Sequence, residues 1–231
     1  MRVAIIPARG GSKRISRKNV RDFVGKPIIA YPIETAISSD LFDHVIVSTD
    51  DDEIAEMAER YGADVPFRRP PALGDDYTST DTVLIHALGE CRRIFGAVQQ
   101  CCCIYPANPF LDAVDLHRGL DLLVTHQATS AFPLVRYDFP IEQAFVLEGA
   151  RPRPRWPDQM MARSQDLIEH FHDAGIFYWC DVEKFLQVER LFTEDAAAFV
   201  IPSERCQDIN TLDDWARAEY KYRLLSSPER A

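Results

Sequence analysis

The chain alternates short apolar runs with longer segments in which apolar residues recur every three or four positions. The short runs have the length of buried strands and lie at 2–7, 43–50 and 101–105. The longer segments have the spacing of amphipathic helices and lie at 27–40, 51–61, 78–95 and 113–125. The pattern therefore predicts strands and helices in alternation through the first half of the chain.

Strands and helices that alternate in this way imply crossover connections between parallel strands. We expect an α/β fold with a Rossmann-like, mostly parallel central sheet and helices on both of its faces. Ligands of such sheets bind beyond the carboxyl ends of the strands. A functional site is therefore expected in the loops at 8–19, 48–52, 67–81 and 105–109.

The middle of the chain breaks the alternation. The segment 137–157 is rich in proline and arginine, and its RPRPRWP stretch at 151–157 can continue neither a helix nor a central strand. We expect an annex outside the sheet at about 132–175, within a single domain that spans 1–231. After the annex, further strands and helices are predicted at 176–179, 182–189, 199–202 and from 211 onwards.

Composition and charge narrow the classes of function. Of the 231 residues, 46% are hydrophobic, which is typical of a globular protein. The 26 Lys and Arg are outnumbered by 36 Asp and Glu, and the net charge of −10 argues against nucleic acid as a partner. No apolar run approaches the roughly 20 residues of a membrane helix, and the apolar N-terminus is too short for a signal peptide. We expect a cytoplasmic protein whose six cysteines serve as small apolar residues.

A glycine-rich, cationic turn follows the first predicted strand. Five cations fall within ten residues there, namely Arg9, Lys13, Arg14, Arg17 and Lys18. Paired glycines let backbone N–H groups approach an anion, and the cations would neutralise its charge. The spacing matches neither the Walker pattern nor the dinucleotide-binding fingerprint. The residues alone are compatible both with a phosphate site and with a solvated basic turn.

Two polar segments suit either metal chemistry or helix capping. Asp208 and Asn210 are two positions apart in a strand-like stretch, so their side chains would share one face and could hold Mg²⁺. Capping of the closing helix is the alternative for this pair. Thr49 or Asp50, at the end of the second strand, is similarly expected to cap the helix that follows.

Several motifs taken together resemble those of the sugar-acid cytidylyltransferases, the acylneuraminate cytidylyltransferase family. They are IPARGGSKR at 6–14, RKN at 17–19, GKP at 25–27, VSTD at 47–50, PFRRP at 66–70 and DINT at 208–211. Their order and spacing match the family over essentially the whole chain. The second half, with YDFPI at 137–141, RSQDL at 163–167, HDAG at 172–175 and FYW at 177–179, is most similar to the members that act on pseudaminic acid.

The resemblance implies a site for CTP and Mg²⁺. The nucleotide would be held by Ala8, Arg9, Gly10, Gly11, Ser12, Lys18, Asn19 and Arg69. Lys18, Arg9 and Asp208 would carry catalysis, with Asp208 and Asn210 as metal ligands. Related enzymes commonly have a second aspartate where this chain has Asn210, so tight binding of a second metal ion is not implied.

The resemblance also implies the second substrate, a nine-carbon α-keto acid sugar, and a homodimer formed through the annex. The sugar would be bound by Tyr105, Arg163, Gln165, His172, Asp173 and Phe177. We expect transfer of CMP to pseudaminic acid by in-line attack of its anomeric hydroxyl on the α-phosphate of CTP. N-acetylneuraminic acid is the alternative sugar. A nucleotide-hydrolysing switch and a non-catalytic nucleotide-binding regulator are more distant alternatives.

Overall fold

The computed structural model describes residues 1–75 and 77–227, which fold around one large β-sheet. The strands are β1 (Arg2–Pro7), β2 (Asp22–Phe23), β3 (Lys26–Pro27), β4 (His44–Ser48), β5 (Gln100–Ile104), β6 (Ser130–Arg136), β7 (Phe145–Glu148), β8 (Arg151–Pro154), β9 (Phe171–Asp173), β10 (Phe177–Asp181) and β11 (Ala197–Val200). The large sheet has the order β11-β6-β10-β5-β1-β4, and β9 pairs with β6 beside β10. The pairs β2–β3 and β7–β8 form two small separate sheets.

The large sheet is mixed and mostly parallel, which confirms the predicted fold class. Strand β1 runs parallel to β4 and β5, and β6 runs parallel to β11. Strands β9 and β10 are antiparallel to their neighbours. Arg136 at the end of β6 pairs with Phe171 at the start of β9, so the chain leaves and re-enters the sheet at the same end. A return at the same end fixes an antiparallel pair.

The helices lie on both faces of the sheet, as the sequence predicts. They are α1 (Ala30–Ser38), α2 (Asp52–Arg60), α3 (Thr80–Phe95), α4 (Ala113–Thr125), α5 (Val182–Val188) and α6 (Leu212–Leu225). Helices α1, α2 and α4 share one hydrophobic core with the sheet, and α3 and α5 share the other. Among the described residues, no helix is both long and apolar enough to cross a membrane.

The cysteines are part of these two cores. Cys101 and Cys103 face the core beneath α3, and Cys102 faces the opposite core, as alternation along a strand requires. All six cysteines are free thiols, and five of them are buried. Burial raises the pKa of the Cys91 thiol to about 12, which keeps it protonated and unreactive.

The segment outside the large sheet is 137–170, which is narrower than the expected annex because β6 and β9 belong to the sheet. It contains the β7–β8 hairpin and short 3₁₀ helices. The hairpin is largely exposed, including its apolar residues Phe145, Val146 and Leu147. The predicted role of this segment in dimer formation stays a prediction.

A third core cluster holds the glycine-rich loop against the C-terminal part of the chain. Ile15 from the loop and Phe23 from the β2–β3 hairpin pack with Ile209 and with Trp215 of α6. The Phe23 and Trp215 rings meet edge to face, with their centroids 5.4 Å apart. This cluster brings two segments that are far apart in sequence, the loop and residues 208–210, to the same end of the sheet.

Candidate active site

A cavity of about 300 Å³ opens beyond the carboxyl ends of β1 and β5. Three of the four loops expected to form the site line it, and the fourth, at 48–52, supports it from behind. Its cationic lining consists of Arg9, Lys13, Arg14, Lys18 and Arg69. Among the described lining residues Asp75 is the single carboxylate, and its side chain accepts hydrogen bonds from the backbone of its own turn. In a chain of net charge −10, this concentration of cations marks a site for a polyanion.

The two glycines of the loop differ in what surrounds them. The Gly10 N–H donates to Asp50 Oδ1 over 3.0 Å, and a Cβ at this position would lie 2.5 Å from Asp51 Oδ2. Position 10 therefore accepts only glycine without displacement of the loop. A Cβ at Gly11 would have no atom within 4 Å. Neither glycine, nor buried Ala8, lines the cavity, so the three shape the loop while Arg9 and Ser12 face the space inside.

Lys18 and Asn19 lie on a short 3₁₀ helix at the floor of the cavity. Lys18 Nζ donates to the carbonyl of Ile209 over 3.0 Å, which bridges the loop to the 208–210 segment. Burial lowers the pKa of Lys18, while the nearby Asp208 carboxylate acts in the opposite direction. Asn19 is buried and donates to the Arg9 carbonyl over 3.1 Å, and its Oδ1 has no hydrogen-bond partner.

The prediction that all five loop cations face a bound anion is wrong for Arg17. Its backbone is left-handed, with φ of 53°, and its guanidinium turns away from the cavity. It pairs with Asp51 over 2.6 Å and also with Glu53. The hydrogen bond from Arg17 lowers the pKa of Asp51. Arg17 therefore ties the loop to the start of α2.

The helix cap at the start of α2 is also one residue away from its predicted position. The cap is Asp51, which accepts the Ile54 N–H over 3.0 Å, and not Thr49 or Asp50. Asp50 instead accepts from Gly10 and from Arg69, whose Nη2 lies 3.4 Å from Asp50 Oδ1. Because Asp51 caps the helix, the Asp50 carboxylate is available to hold Gly10 and Arg69 beside the cavity.

Arg69 lies almost entirely below the surface, with 4% of its area exposed, and still contributes to the cavity wall. Burial lowers its pKa, but a guanidinium remains charged at any physiological pH. Its Nε has no hydrogen-bond partner. The Arg69 Nε donor and the Asn19 Oδ1 acceptor are therefore both buried beside the same cavity without a hydrogen-bond partner. A buried polar group that stays unsatisfied lowers the stability of the fold.

A second cavity, of about 460 Å³, shares Tyr105 with the first. His172, Asp173, Cys206 and Asp208 are among its lining residues. The two cavities therefore meet at the Tyr105 side chain, and a ligand in one would lie next to a ligand in the other. This arrangement suits a reaction between two bound molecules.

Asp208 lines the second cavity and Asn210 lines the first, and the Asn210 amide donates to the Asp208 carboxylate. Capping of α6 is excluded as the role of Asp208, because Thr211 and Asp214 form a reciprocal capping box at that helix. No group of three or more metal-binding side chains occurs among the described residues. One carboxylate with one amide oxygen fits Mg²⁺, which keeps waters and takes other ligands from substrate phosphates.

The structure brings together only part of the predicted sugar-binding set. Tyr105, His172 and Asp173 line the second cavity. Gln165 lines a separate groove among annex residues, and Arg163 lines neither the first nor the second cavity. Phe177 is 1% exposed and packs against Gly119 of α4, so its ring belongs to the core and not to a cavity.

Sequence reasoning missed two residues that the geometry brings to the site. Thr80, the first residue of α3, lines the first cavity and hydrogen-bonds to Tyr105 over 3.1 Å. Tyr178, on β10, packs edge to face against Tyr105, with ring centroids 5.4 Å apart. Thr80 falls within the segment 67–81, where the sequence pattern predicted part of the site, whereas the sequence around Tyr178 is typical of an ordinary core strand.

Comparisons with known proteins agree with this geometry. The family model described as "Cytidylyltransferase" matches residues 3–142. The chain is 37% identical to the pseudaminic acid cytidylyltransferase of Campylobacter jejuni over 96% of both chains. It is 28% identical to the N-acylneuraminate cytidylyltransferase of Escherichia coli, covering 94% of this chain and 51% of that protein. A solved CMP:2-keto-3-deoxy-manno-octonic acid synthetase complexed with CTP has the same fold, with a TM-score of 0.69, 16% identity, and coverage of 95% of this chain and 97% of its own.

Proposed function

The chain belongs to the cytidylyltransferase family, and from this premise we propose that it makes CMP-pseudaminic acid and pyrophosphate from CTP and pseudaminic acid. The observation that carries the proposal is the cavity lined by five cations, which meets a second cavity at Tyr105. A nucleoside triphosphate and an acceptor molecule bound side by side would satisfy both. Direct transfer between two molecules bound side by side needs no covalent enzyme intermediate.

In the proposed reaction, the anomeric oxygen of the sugar attacks the α-phosphorus of CTP. A new O–P bond forms as the bond from the α-phosphorus to the oxygen bridging the β-phosphorus breaks, so that pyrophosphate leaves, and the hydroxyl proton of the sugar is released to solvent. The negative charge that develops on pyrophosphate is the main obstacle, and fixed cations in a partly buried site lower that barrier. Lys18 is placed to act here, because its Nζ is anchored to Ile209 beside Asp208, at the junction of the cavities. Arg9 and Ser12 would bind the outer phosphates.

The base and ribose of CTP would take the deeper part of the first cavity. Arg69 and Asn19 offer a buried donor and a buried acceptor there, which together are the complement of a cytosine edge. Gly10 and Gly11 would let the loop approach the triphosphate closely.

Mg²⁺ would be held by Asp208 and Asn210, and when bound it would supply positive charge to the triphosphate. The donor set on the protein is small, which is consistent with a metal that arrives with the nucleotide. Because one of the two ligands is neutral, the affinity of the site for the metal should depend mainly on Asp208.

The sugar would occupy the second cavity, where Tyr105, His172 and Asp173 offer mixed polar and aromatic contacts. Pseudaminic acid is favoured over N-acetylneuraminic acid because the Campylobacter relative aligns over 96% of its own length, whereas the N-acylneuraminate cytidylyltransferases of Escherichia coli and Oncorhynchus mykiss align over 51% and 52% of theirs. The predicted contacts from Arg163 and Gln165 would require the annex of a second subunit or a movement of this one.

A homodimer is proposed from the exposed apolar surface of the annex. Leu147 is 70% exposed on the β7–β8 hairpin, and Phe139 and Ile168 nearby in sequence are 83% and 78% exposed. Exposed apolar side chains of this kind are stabilised by burial against another chain. We also propose a cytoplasmic location, since the reaction consumes CTP and the free thiols suit a reducing compartment.

The test is pyrophosphate release with Mg²⁺ and each of CTP, UTP, ATP and GTP in turn, with and without pseudaminic acid. We expect release only with CTP and the sugar together. Release of inorganic phosphate from a nucleotide without the sugar would indicate a nucleotide-hydrolysing switch. Asp208→Ala should abolish turnover, with Asp121→Ala on the exposed face of α4 as the matched control. Nucleotide binding without turnover in the wild-type protein would favour a non-catalytic regulator.

A further inference from the structure

A third cavity, of about 360 Å³, adjoins the second cavity. His172 and Cys206 line both of them, whereas Tyr105 lines the second cavity and not the third. The three cavities therefore form a row, in which the first meets the second at Tyr105 and the second meets the third at His172 and Cys206. A ligand of the second cavity that is long enough would reach into the third.

The end of β6, the start of β9 and one face of α6 enclose the third cavity. Val135 of β6 pairs with His172 of β9 in the antiparallel register. The Tyr137 ring, just after β6, meets the His172 ring edge to face, with centroids 5.0 Å apart. On the α6 side, Lys221 follows the buried Ala218 by three residues, so both lie on the face of the helix that packs against the protein. The cavity therefore combines apolar and aromatic walls with a cation.

Lys221 is held in place at this cavity as a hydrogen-bond donor. Its Nζ donates to the carbonyl of Cys206 over 2.8 Å and to the carbonyl of Ser203 over 3.4 Å. An ammonium group has three N–H bonds, so one remains for a ligand. Among the described residues Lys221 forms no ion pair, whereas Arg136, which also lines the cavity, pairs with Glu169 over 2.8 Å. The third cavity therefore offers a positioned donor that the fold does not use.

The second cavity has the opposite character. It contains the carboxylates of Asp173 and Asp208, and no lysine or arginine is among its described lining residues. Carboxylates accept hydrogen bonds, so this cavity suits the hydroxyl and N–H groups of a sugar. In pseudaminic acid the attacking hydroxyl and the acid group are both on C2, whereas the two acylamino groups are on C5, across the ring, and on C7, in the side chain. With C2 at the Tyr105 junction, the acylamino carbonyls point away from CTP, along the row of cavities.

We propose that the third cavity holds an acylamino group of the sugar and that Lys221 donates to its carbonyl oxygen, which makes Lys221 a specificity-determining residue. The inference rests on the proposed function. The methyl group of the acyl chain would lie against the Tyr137 ring and Val135. A hydroxyl in place of the acylamino group ends two bonds short of the acyl oxygen and does not reach Lys221. The site therefore selects acylated nine-carbon sugar acids over polyhydroxylated ones.

Lys221→Met tests this contact, because it keeps most of the apolar stem and removes the donor. We expect kcat/KM for pseudaminic acid to fall about 10-fold or more, while KM for CTP stays within about two-fold. The comparison substrate is a nine-carbon α-keto sugar acid with hydroxyls at C5 and C7. Its kcat/KM, or its inhibition constant where turnover is slow, should change by about two-fold or less. Lys184→Met is the matched control, since Lys184 of α5 also donates to a backbone carbonyl, that of Gln127, and lines none of the three cavities.

The two substrates separate recognition of the acyl group from a merely structural role. If Lys221 only braces the carbonyls of Ser203 and Cys206, the variant loses activity equally with both sugars, and that result would overturn the proposal. A Lys221→Met protein that matches the Lys184→Met control would overturn it as well. If Lys221→Met does not fold, Tyr137→Ala takes its place, because the Tyr137 side chain is 42% exposed. A loss confined to the acylated sugar would then support the proposal, and equal losses would contradict it. A wild-type protein that turns over no sugar acid would instead remove the proposed function itself.

Discussion

Replacing Gly10 by alanine isolates the contribution of the glycine loop. The new Cβ would lie 2.5 Å from Asp51 Oδ2, 2.8 Å from Asp51 Cβ and 3.0 Å from Asp51 Cγ. Asp51 cannot simply move aside, because its carboxylate caps α2 at Ile54 and pairs with Arg17 over 2.6 Å. Either Asp51 loses these partners or the loop that carries Arg9 and Ser12 shifts.

Both responses would lower the free energy of unfolding. Overpacking at a constrained position costs about 1–3 kcal/mol, and loss of an N-cap costs about 0.5–2 kcal/mol. We therefore expect Gly10→Ala to destabilise the protein by about 1–3 kcal/mol. For a chain of this length, that corresponds to a fall in Tm of about 2–12 °C. A shift of the loop should also raise KM for CTP by about 10-fold, since it displaces the phosphate contacts.

Gly11→Ala is the control for stability, because it makes the same chemical change one residue away. A Cβ at position 11 has no neighbour within 4 Å, so the free energy of unfolding should stay within about 0.5 kcal/mol of wild type. Urea unfolding of the two variants, together with their KM for CTP, gives the comparison. Equal stability of the two variants would refute the reasoning about Asp51. A destabilised Gly10→Ala with a wild-type KM for CTP would show that Asp51 gives way and the loop does not.

Three further perturbations test other parts of the site. Lys18→Ala should lower kcat about 100-fold with little change in Tm, since the charge of Lys18 is needed at the phosphates. Because burial lowers the pKa of Lys18, kcat/KM for CTP should fall at alkaline pH as Lys18 loses its proton. Lys18→Arg should retain activity at that pH. Asp208→Asn should raise the Mg²⁺ concentration for half-maximal rate, and an unchanged titration would place the metal elsewhere. Leu147→Asp should convert the proposed dimer to a monomer in light-scattering measurements, whereas Val124→Asp, at a comparably exposed position of α4, should not.

The local pattern of the chain predicts most of the fold, because strand and helix periodicity depends on nearby residues. The elements β1, β4, β5 and α4 lie within a few residues of where the apolar spacing puts them. The direction of β10 could not be obtained in this way. It depends on where the chain re-enters the sheet after the annex, which is fixed by the pairing of Arg136 with Phe171.

The candidate site shows the same division. The cationic loop and the DINT segment could be identified from their residue types and from the family resemblance, and the structure brings both to one cavity edge. The face of β10 could not be read from its apolar run. Phe177 and Trp179 face the core beneath α4, whereas Tyr178 faces the opposite side, where it meets Tyr105. A shift of one residue along a strand exchanges the two faces, which is why the sequence suggested Phe177 in place of Tyr178.

Arg17 and Asp51 illustrate a further limit. Both have residue types that suit a phosphate or metal site, and they are used instead to neutralise each other at the start of α2. The sequence gives the number of charges in the loop. Their pairing depends on the left-handed backbone at Arg17, which the local sequence pattern does not predict.

The central claim, cytidylyl transfer to pseudaminic acid, is tested most directly by competition. Equal concentrations of pseudaminic acid and N-acetylneuraminic acid would be offered together with limiting CTP and Mg²⁺, and the two CMP-sugars separated by mass. We predict that CMP-pseudaminic acid is the predominant product, formed in equal amount with pyrophosphate. Predominance of CMP-N-acetylneuraminic acid would contradict the sugar assignment, and the absence of both products would contradict the proposed transfer.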